Sequence, residues 1–575
     1  MRKLLLLLLV SVTAGALSWE ISGEELRRCH ADNLEDVLSR APFLRLDRKG
    51  GAGLPFLLDS GRSEEVLLLL DGMPMQDPWT GENLWSDIPL SLVEKITVKT
   101  GSEAVKWGNH AGAGVILVET RRHEEKTSRA WIHVAPVMTG EPEARRFSLE
   151  TPGGNPAMSL GLDEYFREGL HSFGDYSETP ASPEPTRSSR RTLTLRMDLD
   201  AGPAGPLELQ LLQSDLSLSQ ASGKWNRGLY QLSLALPESP WGRWHAIQRF
   251  SRRRSELWTS EDAMFELSWR GTYRGIEGGA GLESHLLRAS HSGTASTSLG
   301  NPARVWAFAE ESGSWKQFRV YSGLRAEVAE NASLALLGDL SLERDFGENH
   351  LRAFFSAGRG ALPWAFDRYD SEFQWPWTVT SPDSLSDPDF QRLGLHLKRS
   401  LGDLHVGLLY RAEVGHRPWS LDSLQSSWRQ GKVQDLHSLG LTFRWDAEPL
   451  HRLLDAGFSL ISDPAPGAFL LEGSLLADLG ESGRRAPFLL KLFLRWEREI
   501  ARGDGRWVFS LPMEVRGGGE LPSTLLMDAK AELRILSGSI WASWNNLFNW
   551  PLEEVPGFPQ SPARFWIGVD WYLDN

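Results

Sequence analysis

The 575-residue chain holds one cysteine, Cys29, which excludes a disulfide framework and any cysteine-based zinc site. It also lacks, beyond its first twenty residues, any run of 18 consecutive apolar residues, so it is not a helical membrane protein. No arm or stripe of clustered Lys and Arg stands out, and the net charge is -14, so attraction to a phosphate backbone does not organise its function and nucleic acid is not an expected partner. Signatures of catalysis are missing as well. There is no G-x-S-x-G elbow, and His123-Glu124-Glu125 lacks the second histidine of a zinc protease. Gly108, Gly112 and Gly114 are followed by no Lys-Ser/Thr and sit in no Rossmann unit, so they read as tight-turn glycines. The expectation is therefore no catalytic residue, no metal, no cofactor and no enzymatic activity. Tyrosine is scarce at 8, and against that scarcity tryptophan is abundant at 25.

Arg2 and Lys3 precede an apolar stretch from Leu4 to Leu17, too short to span a bilayer, and Ala14-Gly15-Ala16 supplies a small-residue cleavage site. This order is that of a secretory signal peptide over residues 1–16, so the mature protein is expected to be exported. From residue 21 to about 122 helix and strand signals mix. Ser22-Gly23-Glu24-Glu25 is a capping box that opens a short helix, and Asn33 can cap a second helix running to Arg40. Val66–Leu70 is apolar on both faces and turns at Asp71-Gly72, which predicts a strand buried on both sides; strands at 95–99 and 115–119 follow.

From about residue 125 the grammar changes to short stretches of period-two alternation. Leu193, Leu195, Met197 and Leu199 oppose Thr192, Thr194, Arg196 and Asp198; Phe265, Leu267 and Trp269 oppose Glu266, Ser268 and Arg270; Leu439, Leu441, Phe443 and Trp445 oppose Gly440, Thr442 and Arg444. No helical pattern of comparable length is legible there. At about 9 to 11 residues per membrane strand plus a connection, the 451 residues after position 124 accommodate roughly 22 strands, a size of barrel that usually has a plugged lumen. A soluble propeller or sandwich also shows many short strands, but export, strand count and tryptophan near strand ends favour the membrane.

Val66 to Gly72, then Ile88-Pro89 with Glu94 entering the next strand, then Gly101, Trp107-Gly108 and Gly114-Val115-Ile116, resemble the plug domain of TonB-dependent outer-membrane receptors. Trp544 to Asn549 and the last strand from Arg564 resemble the end of the barrel in that family, including the C-terminal signal read by the barrel-assembly machinery. The resemblance implies a mainly β fold: a small α+β plug over residues 17–124 in the lumen of a transmembrane antiparallel barrel of about 22 strands over 125–575. It also implies a location in the outer membrane of a diderm bacterium. By the same resemblance, the loops at the plug apex meet an extracellular small solute, siderophore-, corrinoid- or oligosaccharide-like, so Trp79, Glu82, Asn83 and Trp85 are the candidate ligand contacts. An alternative for Trp79 and Trp85 is plain packing.

Three departures stand out. Asp59-Ser60 occupies the place of the family's Arg-Gly and Thr100 that of a second arginine, where those arginines hold the plug to carboxylates on the wall. Only Leu17 to Glu20 precede the plug after the expected cleavage, where the family carries a flexible segment that engages TonB. The plug is thus expected to be seated differently or more loosely. Three functions remain open: a TonB-coupled receptor and transporter, a plugged barrel acting as a passive channel or assembly partner, and, least favoured, an exported soluble β-rich hydrolase or carbohydrate binder.

Overall fold

The computed structural model describes residues 18–23, 25–26, 34–42, 44–46, 56–58, 66–76, 83–100, 104–108, 111–112 and 114–121 near the N-terminus; from 129 to 574 it describes the strands, the short turns between them and one helix. The expected signal peptide lies outside the described residues.

The N-terminal elements are β1 (Ser18–Ser22), α1 (Leu34–Leu38), β2 (Leu44–Leu46), β3 (Phe56–Leu58), β4 (Val66–Leu70), β5 (Met73–Pro74), β6 (Val93–Thr100), α2 (Ala104–Trp107) and β7 (Gly114–Thr120). Five of them form one sheet in the order β1-β6-β7-β4-β5. β4 pairs with β7 in parallel, and all five of its side chains are buried, which is why it reads as an unbroken apolar run. Asp71 and Gly72 take positive φ of 49° and 82°, the geometry of a two-residue hairpin turn between β4 and β5, and glycine adopts the second at no steric cost. The capping box forms: the Glu25 amide donates to Ser22 Oγ and the Ser22 amide to Glu25 Oε2, each at 3.3 Å.

Around this sheet closes a barrel of antiparallel strands. Two of its strands are interrupted, Thr297–Gly300 continuing as Ala303–Trp315 and Thr524–Met527 as Ala529–Ile535 on one partner each, so the wall has 22 strands. The last strand, Arg564–Asp574, pairs with Arg129–Pro136 to close the ring. At one end the connections are mostly tight, as at 274–275, 316–317, 347–348, 402–403 and 536–537; the other end carries the long connections 172–183, 360–388, 417–433 and 546–563.

The polarity of this wall is inverted relative to a water-soluble sandwich. Thr192, Thr194, Arg196, Glu266, Ser268 and Asp570 are buried, while their neighbours Phe265, Leu267, Ile567, Val569 and Trp571 are exposed. Strand pleating alone puts alternate side chains on opposite faces, so the polar set faces the lumen and the apolar set faces outward. Burying charge while exposing Leu and Phe is favourable only where the outside is hydrocarbon. Exposed Trp244, Tyr273, Trp315, Phe346, Trp507 and Trp571 all lie within a few residues of the short-turn end or the final residue, as an interfacial girdle requires.

One expectation needs correction. The region after residue 125 does contain a helix, α3 (Glu448–Phe458), in the connection between strands Gln434–Asp446 and Gly467–Asp478. Leu450, Leu453 and Leu454 carry its i, i+3, i+4 spacing, but eleven residues with a proline at the second position make a weak signal among strands.

Candidate functional site

The plug is held in the lumen by charge-assisted contacts of both polarities. Plug carboxylates meet wall guanidiniums. Asp71, at the hairpin turn, accepts from the Thr120 amide at 2.8 Å and from Thr120 Oγ1 at 2.7 Å, while wall Arg196 donates to the same Thr120 hydroxyl at 2.8 Å and lies 3.7 Å from the carboxylate. Asp87 is fully buried and pairs with Arg227 of the wall. Wall cations also bond plug carbonyls: Arg249 donates to Pro74 O at 3.1 Å, and Lys491 to Ala41 O at 3.0 Å and Leu44 O at 2.5 Å. Other contacts run the opposite way, with Arg40 3.7 Å from Glu472, Lys106 2.5 Å from Glu277 and Arg121 2.7 Å from Glu150. The plug is therefore not held loosely, since charge-assisted contacts reach the wall from several sides. Asp59 lies outside the described residues.

The family-motif residues divide by what they touch. Ile88 and Pro89 are buried beside Asp87, Glu94 is exposed and lies 3.3 Å from Arg121, and Gly114 opens β7. Trp107 stacks under the Arg270 guanidinium of the wall, 3.9 Å from its ring centroid. Gly108 has φ +94°, which favours glycine, and a Cβ there would lie 2.8 Å from Glu327 Oε1, so that carboxylate would have to shift. Gly101 lies outside the described residues.

The four candidate ligand contacts are not brought together as one surface. Asn83 is buried: its amide nitrogen donates to Val66 O at 2.6 Å and its Oδ1 accepts from the Leu68 amide at 2.9 Å, capping the free edge of β4. Trp85 is buried in the apolar core with Leu68, Leu84 and Ile88. Both therefore hold the plug together and face no solution, a correction to the reading that had them contact ligand. Trp79 and Glu82 lie outside the described residues. Gln76 and Asn83 form a β-bridge, and the Leu84 amide donates to Met75 O at 2.7 Å, so the residues that flank 77–82 are held side by side at one base. That base is on the long-loop side, because Asp87 meets Arg227 only four residues from the long-loop start of strand Gly223–Ala235.

On the opposite flank a cavity of about 550 Å³ separates plug from wall, bordered by Trp19, Arg40 and Pro42 of the plug and by Phe443, Glu472 and Lys491 of the barrel. Its volume suits a small organic ligand. Sequence reasoning missed these wall residues because partners such as Asp87 and Arg227 are 140 positions apart. Among the described residues no group of three or more His, Cys, Asp or Glu is placed to hold a metal ion.

Comparison with known proteins agrees with this architecture. Residues 11–115 match the TonB-dependent Receptor Plug Domain. The vitamin B12 transporter BtuB of Vibrio vulnificus is 32% identical over 106 residues, which is 18% of this chain and 17% of the relative, so the match spans only a small part of that protein. Over the whole length, the siderophore receptor PirA from Pseudomonas aeruginosa superposes with a TM-score of 0.68 at 14% identity, covering 97% of this chain and 99% of the other. The copper transporter OprC gives a TM-score of 0.75 at 14% identity, with the same coverage. Residues 11–115 thus match the plug domain of TonB-dependent receptors, and the chain as a whole shares the plugged 22-strand barrel fold of these solved structures.

Proposed function

We propose that the protein is an outer-membrane receptor and transporter: a plug over residues 17–124 inside a barrel over 125–575, exported by a cleaved signal peptide over 1–16. Solute is captured outside at the long-loop end by segment 77–82, with Trp79 offering a stacking surface and Glu82 a hydrogen-bond acceptor, and is then admitted to the periplasm past the plug. The observation that carries this reading is the inverted wall, polar toward the lumen and apolar outward, closed around a plug in which Gln76 and Asn83 are bridged near the long-loop end. Short turns on the periplasmic side and long loops outside are the ordinary arrangement of such barrels. The cavity beside Arg40 and Lys491 supplies room between plug and wall on the way through.

The relatives' names suggest the probes: a corrinoid, a ferric siderophore and copper. Equilibrium binding of cyanocobalamin, a ferric catecholate and Cu(II) to the purified full chain, compared with Trp79→Ala and Glu82→Gln, tests the reading. One probe binding tightly and losing at least tenfold in affinity in either variant supports segment 77–82 as the contact. Tight binding untouched by both substitutions overturns it.

A second reading, a plugged barrel without TonB coupling, is favoured by β1. Residues 18–22 pair position by position with β6, from Ser18 opposite Lys99 to Ser22 opposite Lys95, and Lys95 Nζ lies 3.0 Å from Glu20. Coupling through this segment requires β1 to leave its sheet. Pull-down of a TonB C-terminal domain by the full chain separates the readings: capture supports the coupled receptor, and no capture, with a folded barrel, supports the passive one.

A further inference from the structure

The connections longer than ten residues lie at the long-loop end with one exception, residues 447–466, which carry α3 at the short-turn end. The helix sits on the outside of the barrel. Arg444 and Glu472 meet at 3.1 Å in the lumen, and Lys491 reaches the plug there, so alternation places Trp445, Leu471, Leu494 and Trp496 outward. These side chains, with Ala447, Phe469 and Phe509, form one cluster against which Leu450 packs. The Ala447 amide donates to Phe469 O at 2.7 Å, and the Trp496 indole N–H donates to His451 Nδ1 at 3.1 Å, fixing the start of the helix to the wall. Trp496 and Phe509 stack with centroids 5.5 Å apart beneath it.

The helix leaves apolar surface uncovered. At 100° per residue, Leu450, Leu453 and Leu454 share one arc, whereas Glu448 and Arg452, paired at 2.6 Å, lie on the other. Leu450 is turned to the wall, but Leu453 is 68% exposed and Leu454 39% exposed. A helix that packs on the aromatic girdle with half its apolar arc on the wall and half beyond it has only one apolar surrounding at that level, the bilayer itself.

We infer that α3 is an interfacial lipid-binding helix. It lies in the membrane plane at the short-turn rim, with Leu453 and Leu454 in the leaflet that borders the periplasm and the Glu448–Arg452 pair toward water. Helices of this kind bury their apolar face ~5–10 Å into the headgroup/acyl boundary. The inference rests on the outer-membrane reading of the barrel and goes beyond it, because a barrel needs no such helix to span.

The test places a polarity-sensitive fluorophore on Leu453→Cys in a Cys29→Ser background, with the full chain inserted in vesicles of phosphatidylethanolamine and phosphatidylglycerol. Leu324→Cys, on an exposed outward position of strand Phe318–Ala329, serves as the control for the barrel. Blue-shifted emission from position 453, lost to a lipid nitroxide near the headgroup more than to one at the chain end, is the expected result. Position 324 should show the reverse preference. Water-like emission from position 453 without quenching overturns the inference; it leaves the barrel reading intact where position 324 is quenched and removes both where it is not. A blue shift that disappears when the protein is diluted into excess lipid also overturns it, since that shift comes from a second copy.

Discussion

Replacing Asp87 by alanine removes the buried carboxylate that faces the Arg227 guanidinium. Asp87 has no accessible side-chain surface, and the Arg227 side chain is 7% exposed, so neither partner has water to fall back on. Breaking a buried pair by removing one partner costs about 3–5 kcal/mol, because the remaining charge stays desolvated. At about 1.4 kcal/mol per factor of ten, plug release becomes easier by roughly two to three and a half orders of magnitude. The assay is ion conductance of the full chain in a planar bilayer as urea is raised, where unfolding of the plug opens the lumen while the barrel persists. With a urea slope of about 1.5 kcal/mol/M for a domain of this size, the opening midpoint of Asp87→Ala should fall by about 2–3 M. Asp87→Leu combined with Arg227→Met should recover most of that loss, since an apolar pair of similar volume often replaces a buried ion pair at little cost. A midpoint that does not move in Asp87→Ala, or a double variant as weak as the single one, refutes the claim that wall arginines seat this plug through its carboxylates.

Asn83→Leu removes the partners of the Leu68 amide and the Val66 carbonyl, an expected cost of ~1–3 kcal/mol for each buried group left unmet. Hydrogen exchange at Leu68 should quicken accordingly, and unchanged protection there contradicts the role given to Asn83. Gly108→Ala puts a Cβ 2.8 Å from Glu327 Oε1 at φ +94°, with an expected cost of ~1–3 kcal/mol read as a lower urea midpoint for plug opening; a midpoint equal to that of the parent chain counts against the close approach.

Much of the fold was legible because each signal was local. β4 reads as a buried strand from five apolar residues in a row, and the wall's register follows from period-two patterns such as Phe265, Leu267 and Trp269 against Glu266, Ser268 and Arg270. Asp71-Gly72 announced its turn, though not the tie from Asp71 to Thr120 and Arg196, which depends on three distant segments meeting. The site was harder to read. Asn83 in a segment with Pro, Gly and Trp looks like a loop residue open to ligand, and only the fold reveals that its amide substitutes for a missing strand neighbour of β4. Trp85 shows the same limit, since an indole's apolar body and polar edge suit a binding surface and a core equally. The departures at positions 59 and 100 pointed to the plug–wall contacts as the place to look. The contacts themselves were out of reach, because a guanidinium such as Arg227 is indistinguishable in sequence from any other lumen-facing charge.

A membrane barrel closed around a plug is tested by the mobility of unheated against boiled protein on SDS gels, taken with the fraction in which it is found. Such a barrel resists SDS until heated, so the two samples should migrate differently and the protein should be recovered in the outer-membrane fraction. Identical migration together with recovery in the soluble periplasmic fraction would contradict this architecture.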